Sequence, residues 1–197
     1  RSLFPLGGLR KDKARALVSA RGLLLSAHRK ESQDICFIPD GDYGAYLEKT
    51  LGVKSPPGPF VGTDGRVLGE HRGLVRYTVG QRRGLGLSAS RPKYVVKKDA
   101  AANAVVVGDE AELYADVMSV GDLNLIAAEK LSGPVRATVK TRYSQREAPA
   151  TLTPSDDRTV SVRFDTPQRA VTPGQSAVFY WGDVVLGGGK IMDAGQS

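Results

Sequence analysis

The chain has 197 residues, 41% of them apolar, which suffices for one large or two small domains with a hydrophobic core. Its single cysteine excludes a disulfide-stapled scaffold and is typical of a reducing compartment, so we expect a cytoplasmic protein. The formal net charge of +7 favours polyanion partners, and no stretch approaches the ~18 apolar residues of a membrane span.

The first part of the chain predicts two short helices. Residues 9–24 contain no proline and place apolar side chains near one helical face, and Gly22 is a natural stop. A second helix is expected over residues 42–51, with Asp40 or Asp42 as its N-cap. Both helices precede a strand-rich remainder.

The prolines of residues 55–59 mark the clearest boundary, because clustered prolines continue neither a helix nor a central strand. Beyond them, residues 58–68 predict a hairpin with Asp64 and Gly65 at its tip. Two more strands, joined by a tight turn, are expected at residues 94–97 and 104–107.

The last part of the chain predicts a small antiparallel barrel. Residues 113–124 are expected to link two β modules. After them, short strands recur at close spacing, and Gly187–Gly189 indicates a bulge in the last strand. These strands are expected at residues 135–143, 148–153, 159–164, 176–181 and 184–191.

Cys36 lies in an expected short strand, residues 35–38, directly after a polar and charged stretch. This placement makes it a candidate for sulfur chemistry, since the thiolate is the reactive form of cysteine. A free cysteine also packs as a small hydrophobic residue. Its immediate surroundings leave both interpretations open.

The segment Gly80–Leu87 is basic and rich in glycine. Glycines let a backbone approach a ligand, and Arg82 and Arg83 can bind phosphate as forks. No strand-then-helix context of a nucleotide-binding fingerprint surrounds the segment. It is therefore either a phosphate site or a basic surface loop.

Arg142 and Tyr143 end an expected strand with a cation and an aromatic ring. Such a pair can grip a phosphate and stack on an unpaired base, but an exposed arginine beside a core tyrosine would look the same. Gln175 lies in a turn, where it contacts RNA or caps a strand. With one cysteine and two histidines, no zinc-site spacing exists, and no metal site is expected.

Several short motifs occur along the chain in the same order as in one protein family. Each motif alone is weak evidence of a relationship, but the ordered set is specific. They are Phe4–Gly7, Ser32–Ile38, Gly69–Gly73, Tyr77–Leu85, Arg142–Tyr143, Arg169–Tyr180 and Leu186–Gly189. In this order they resemble the C-terminal part of the bacterial tRNA-specific 2-thiouridylases.

That resemblance implies an activity and a set of site residues. The family replaces the C2 oxygen of the wobble uridine in tRNA with sulfur, through adenylation by ATP with Mg²⁺ and a cysteine persulfide. The resemblance makes Cys36 the persulfide-bearing cysteine, able to pair with a second cysteine as a disulfide. It assigns tRNA contacts to Arg142, Tyr143 and Gln175. A persulfide-donating sulfur-relay protein or a cysteine desulfurase is the implied partner.

The resemblance also implies a three-part organisation, mainly β with a few helices. Residues 1–54 are expected to be the last piece of an α/β catalytic domain, residues 55–125 a β-rich central domain, and residues 126–197 an antiparallel β-barrel. The family's ATP-binding Ser-Gly-Gly loop and its nucleophilic cysteine are not in the sequence. We therefore expect a fragment that is inactive alone.

Two alternatives remain open from the sequence. The chain could be a non-catalytic RNA-binding β-barrel module, with Cys36 as a structural residue. It could also be a barrel of translation-factor type that binds protein, in which case binding would be insensitive to salt. Phosphate contacts predict a steep salt dependence instead.

Overall fold

The computed structural model describes residues 5–23, 38 and 42–195. The chain divides into two compact units, Arg1–Tyr46 and Leu47–Ser197. In the first unit, Lys11–Ala20 form helix α1, which confirms the first predicted helix. Gly22 follows with φ of +74°, a left-handed conformation that ends the helix.

Helix α2 spans Tyr43–Thr50, as the sequence predicts. The backbone N–H of Ala45 donates to Oδ1 of Asp42 at 2.8 Å, so Asp42 is the N-cap. Gly52, with φ of +64°, follows the end of the helix. The helix therefore begins and ends at the residues that the capping pattern favours.

A four-stranded sheet, called the small sheet below, follows the prolines. Its strand order is β2-β1-β4-β3, with β1 and β4 parallel and the other neighbours antiparallel. Both predicted hairpins are confirmed. The strands are β1 Gly58–Gly62, β2 Val67–His71, β3 Tyr94–Asp99 and β4 Ala104–Gly108.

Three rings pack edge to face in the core of the small sheet. The centroid of Phe60 lies 5.7 Å from that of His71 and 5.2 Å from that of Tyr77. His71 is buried, and its Nδ1 accepts a hydrogen bond from the N–H of Gly73 at 3.0 Å. Its Nε2 therefore carries the proton and donates to the carbonyl of Asn103 at 2.9 Å. The histidine is a satisfied structural residue.

Six strands form a closed barrel in the order β10-β5-β8-β7-β6-β9, and all neighbouring pairs are antiparallel. The mainly β fold class with a C-terminal antiparallel barrel is confirmed. The strands are β5 Tyr114–Leu125, β6 Val135–Lys140, β7 Ala148–Pro154, β8 Val160–Arg169, β9 Ser176–Trp181 and β10 Val184–Gly195.

The expectation that residues 113–124 link two modules is wrong. They form most of β5, which pairs with both β8 and β10. The register of β5 shifts between Ala115 and Val117, and the pairing with β10 shifts twice. These irregularities break the alternation that identifies a strand in sequence. The barrel therefore begins at Tyr114, before the predicted boundary at residue 126; the three-part division itself stays a prediction.

The three consecutive glycines of β10 let neighbouring strands approach closely. The register shifts between Val185 and Gly187, where the sequence predicts a bulge. A Cβ atom on Gly188 would collide with the carbonyl oxygen of Ala177, and one on Gly189 with that of Gly121. Side chains are therefore excluded here by backbone contact. No helix within the described residues is long and apolar enough to cross a membrane.

Candidate functional site

Three of the predicted site residues lie at one end of the barrel. Strand β6 ends at Lys140, which pairs with Val178 of the antiparallel strand β9. The chain leaving β6 and the chain entering β9 therefore lie at the same end. This end, called the junction end, carries Arg142, Tyr143 and Gln175.

Tyr143 projects into solvent at the junction end. The residue is 98% exposed, and Nζ of Lys140 lies 5.7 Å from the ring centroid. The sequence left open a core tyrosine beside an exposed arginine, and the structure reverses that arrangement. An aromatic face beside a cation is a stacking platform for an unpaired base.

Arg142 is half-buried between the barrel and the small sheet. Its Nη2 donates to Oγ1 of Thr172 at 2.6 Å and to the carbonyl of Val79 at 3.1 Å. Its Nε is buried without a hydrogen-bond partner among the described residues. Burial and, secondly, the charge of Arg169 lower the pKa of Arg142. Both acceptors are neutral, so the guanidinium charge is not compensated by an ion pair in the described part of the chain.

Gln175 lies in the turn before β9 and is half-buried. Its backbone N–H donates to the carbonyl of Thr172 at 3.2 Å, and its carbonyl accepts from the N–H of Ile191 at 2.8 Å. The backbone of this turn is thus held against β10. The turn also positions Thr172, the hydroxyl acceptor for Arg142.

The segment after β8 joins the barrel to the small sheet. Ala170 adopts φ of +55°, and its side chain belongs to the hydrophobic core of the small sheet. Its N–H donates to the carbonyl of Leu113 at 2.7 Å. Arg169 lies over the ring of Tyr94, 5.5 Å from its centroid, and its Nε lies 3.3 Å from Oε1 of Glu110. Barrel residues therefore complete the small sheet.

Sequence reasoning missed the residues that hold this arrangement. Gln145 accepts a hydrogen bond from Thr141 at 2.7 Å and donates to the carbonyl of Arg169 at 2.9 Å. With Thr172, it fixes the turns around Arg142. These contacts join separate turns, so neither helical nor strand periodicity could signal them.

The predicted basic loop is anchored to the small sheet. Oε1 of Gln81 accepts from the N–H of Thr78 at 3.0 Å, and its Nε2 donates to the carbonyl of Arg83 at 2.9 Å. Leu85 is buried in the core, whereas Arg82 and Arg83 are exposed. The loop therefore holds two cations on a fixed frame.

Cys36 lies outside the described residues, and its surroundings are not described. Within residues 5–23, 38 and 42–195, no group of three His, Cys, Asp or Glu side chains is placed to hold a metal ion.

Three family profiles match the chain in sequence order. Residues 1–40 match the tRNA methyl transferase HUP domain, and residues 44–109 match the tRNA methyl transferase PRC-barrel domain. Residues 115–191 match the aminomethyltransferase β-barrel domain. The second match contains the small sheet, and the third contains most of the barrel.

Curated relatives match over nearly the whole chain. The tRNA-specific 2-thiouridylase MnmA of Acetivibrio thermocellus is 50% identical over 190 residues, which are 96% of this chain and 53% of the relative. MnmA 2 of Caldanaerobacter subterraneus subsp. tengcongensis is 47% identical over 96% of this chain and 52% of its own length. MnmA of Halothermothrix orenii is 45% identical over 98% of this chain and 53% of its own length. The chain thus spans about half the length of the curated relatives it matches.

Proposed function

The chain belongs to the family of tRNA-specific 2-thiouridylases, and from that membership we propose that it takes part in the thiolation of tRNA. The proposed reaction replaces the C2 oxygen of the wobble uridine with sulfur, through ATP-dependent adenylation and a cysteine persulfide. The proposed location is the cytoplasm.

Thiolation is preferred over methyl transfer, which the descriptions of two family profiles mention. Relatives that are 45–50% identical over nearly the whole chain carry the name 2-thiouridylase. A persulfide mechanism also gives a role to the only cysteine of the chain, Cys36. Identity of this extent supports the more specific activity.

The proposed contribution of the second unit is an RNA-binding surface at the junction end of the barrel. The observation that carries this proposal is the nearly complete exposure of Tyr143, 98%, beside the cation of Lys140. The flat face of an exposed aromatic ring is apolar, so covering it with a stacked partner is favourable. An unpaired base is such a partner. Arg142 and Gln175 lie at the same end and are the proposed neighbouring contacts.

Cys36 is proposed to carry the persulfide, supplied by a sulfur-relay protein or a cysteine desulfurase. A disulfide would need a second cysteine, which these 197 residues do not contain. ATP with Mg²⁺ supplies the activation of the uridine in this proposal. Among the described residues, no cluster of carboxylate, histidine or cysteine side chains is placed to hold the Mg²⁺ of that group. Because the sequence contains neither the family's Ser-Gly-Gly loop nor a second cysteine, the chain by itself is proposed to be inactive.

The RNA surface is tested by comparing two exposed aromatic residues at opposite ends of the barrel. Tyr143→Ala should weaken binding of a tRNA transcript by about 1–3 kcal/mol, the range for loss of one base stack. Trp181, 70% exposed at the far end of β9, is the matched control, and Trp181→Ala should leave affinity unchanged. Equal effects of the two substitutions would contradict the proposal.

The sulfur-transfer role is tested in a longer version of the protein that includes an ATP-binding domain. Cys36→Ser should abolish formation of 2-thiouridine while leaving tRNA affinity unchanged, because the hydroxyl cannot carry a persulfide. Retained thiolation would remove Cys36 from the mechanism. Thiolation by the unextended 197-residue chain would contradict its proposed inactivity.

A further inference from the structure

A basic cleft lies beside the anchored loop of the small sheet, and its lining contains none of Arg142, Tyr143 and Gln175. Its volume is about 420 Å³, and none of the residues that line it carries a carboxylate. Its charged lining residues are Arg82, Arg91 and Lys93. A cavity whose charged lining residues are all cations has a positive electrostatic potential and attracts anions.

Most of this charge is not neutralised within the protein. Arg82 and Arg91 are exposed, and neither forms an ion pair with a carboxylate among residues 5–23, 38 and 42–195. Lys93 does have a partner, since its Nζ lies 3.0 Å from Oδ1 of Asp109. Two guanidinium forks thus remain for a ligand, and this group matches the geometry of phosphate oxygens.

The frame that carries these cations is already ordered. The N–H of Gly80 donates to the carbonyl of Val95 at 2.8 Å, and the N–H of Val95 donates to the carbonyl of Gln81 at 2.9 Å. The buried Leu85 anchors the other side of the loop. Gly86, on the cleft wall, has φ of +67° and open space where a side chain would stand. A ligand can therefore approach the backbone without reordering it.

The loop that carries Arg82 also contacts a residue of the junction end of the barrel. The carbonyl of Val79 accepts a hydrogen bond from Arg142, the neighbour of the exposed Tyr143. Arg82 follows Val79 by three residues, a stretch that spans at most about 11 Å. One extended polyanion can therefore contact both places.

We propose that the cleft formed by Arg82, Arg91 and Lys93 binds backbone phosphates of the RNA whose base stacks on Tyr143. This inference rests on the proposed function and extends the RNA-binding surface from the barrel to the small sheet. A polynucleotide fits better than a small phosphate ligand because Arg82 lies only three residues from Val79, whose carbonyl accepts from Arg142, so one strand can reach both cations. Base stacking on the barrel selects single-stranded bases, and the cleft adds affinity that does not depend on sequence.

The test measures affinity for a fluorescently labelled tRNA transcript as a function of salt, with the chain as it stands. Each phosphate contact that is lost should lower the slope of log K against log salt by about 1. Arg82→Ala and Arg91→Ala should each show this loss, with affinity about threefold weaker at moderate salt. The double variant should lose about 2 from the slope.

Arg158→Ala is the matched control for charge. Arg158 is exposed in the turn between β7 and β8, at the barrel end opposite Tyr143, so its removal should leave the slope nearly unchanged. Arg82→Lys with Arg91→Lys controls for folding and for charge, and should retain the slope. If the alanine variants match Arg158→Ala, the cleft proposal is overturned.

The two proposals fail separately. If Tyr143→Ala weakens binding while the double alanine variant behaves like the control, the cleft proposal is overturned and the proposed function survives. If the unsubstituted chain does not bind the transcript, both are overturned. If the double variant lowers the slope and Tyr143→Ala has no effect, the cleft binds RNA and the proposed stacking on Tyr143 is wrong.

Discussion

The barrel buries a mostly aliphatic core inside a closed ring of strands, and every residue of that core lies in those strands or in the turns that connect them. The small sheet packs three rings against its strands and includes in its core Ala170, which directly follows barrel strand β8. A closed barrel has no unpaired edge, whereas a four-stranded sheet has two. From this difference we expect the barrel to fold without the small sheet, and the small sheet to need the barrel.

Phe179→Ala should have the largest effect. Phe179 is fully buried in the barrel core, and its truncation should cost about 3–5 kcal/mol. Because the sheet needs Ala170, both regions should lose structure together. Denaturation followed by Trp181 fluorescence reports the barrel, and amide exchange in β1–β4 reports the sheet. Sheet amides that stay protected after the barrel has unfolded would show that the small sheet does not depend on the barrel.

Phe60→Ala tests the opposite direction. Phe60 is fully buried and contacts both His71 and Tyr77, so the sheet should lose about 3 kcal/mol. The barrel should keep its own transition, since its core contains no residue of the sheet. If the Trp181 fluorescence change occurred at the same denaturant concentration as unfolding of the sheet, the barrel would also depend on the sheet.

His71→Phe should have a smaller effect, confined to the sheet. The substitution keeps an aromatic ring but removes the partners of the Gly73 N–H and the Asn103 carbonyl. A buried group that loses its hydrogen bond costs about 1–3 kcal/mol. The free energy of unfolding of the sheet, measured by amide exchange, checks this value. Unchanged protection would mean that ring packing alone holds the core.

Thr172→Val should weaken the attachment between the two regions by about 1 kcal/mol, because it removes one acceptor from the half-buried Arg142. Thr172→Ser keeps the hydroxyl and is the control. The expected result is a lower stability of the sheet with an unchanged barrel, again read by amide exchange and fluorescence. If Thr172→Val destabilised the barrel and Thr172→Ser did not, the hydroxyl would stabilise the barrel itself and not the attachment between the two regions.

The smallest expected effect is a pH dependence of the barrel alone. Arg136 donates to both carboxylate oxygens of Asp165, at 2.7 and 2.6 Å, and this hydrogen bonding lowers the pKa of Asp165. The resulting stabilisation is present above the unfolded pKa of about 3.9 and is lost as pH falls through the lower folded value. Between about pH 5 and pH 2, the Tm of Asp165→Asn should fall less than that of the unsubstituted chain. Parallel curves would show that the pair contributes nothing.

Much of the fold could be predicted because strands and turns leave local signals. The hairpin tip at Asp64 and Gly65 and the alternation in β6 depend only on neighbouring residues. Strand β5 escaped prediction because its register shifts interrupt the alternation. Its membership of the barrel depends on partners that are distant in sequence, which no local pattern records.

The candidate site was predicted in position but not in environment. The sequence singled out Arg142 and Tyr143, yet a turn has no periodicity that assigns one side chain to solvent and the next to the interior. The burial of Arg142 depends on Val79 and Thr172, which lie far from it along the chain. The roles of Cys36, Gln175 and the other site residues stay predictions.

Ala170 has a consequence for synthesis on the ribosome. The chain emerges from its N-terminus, so all four strands of the small sheet are made well before residue 170. Until then the nascent sheet lacks one residue of its core, and the apolar side chains that contact Ala170 in the mature protein are not yet covered by it. The small sheet is therefore synthesised before its core can be completed, and apolar surface exposed during such an interval is prone to aggregation.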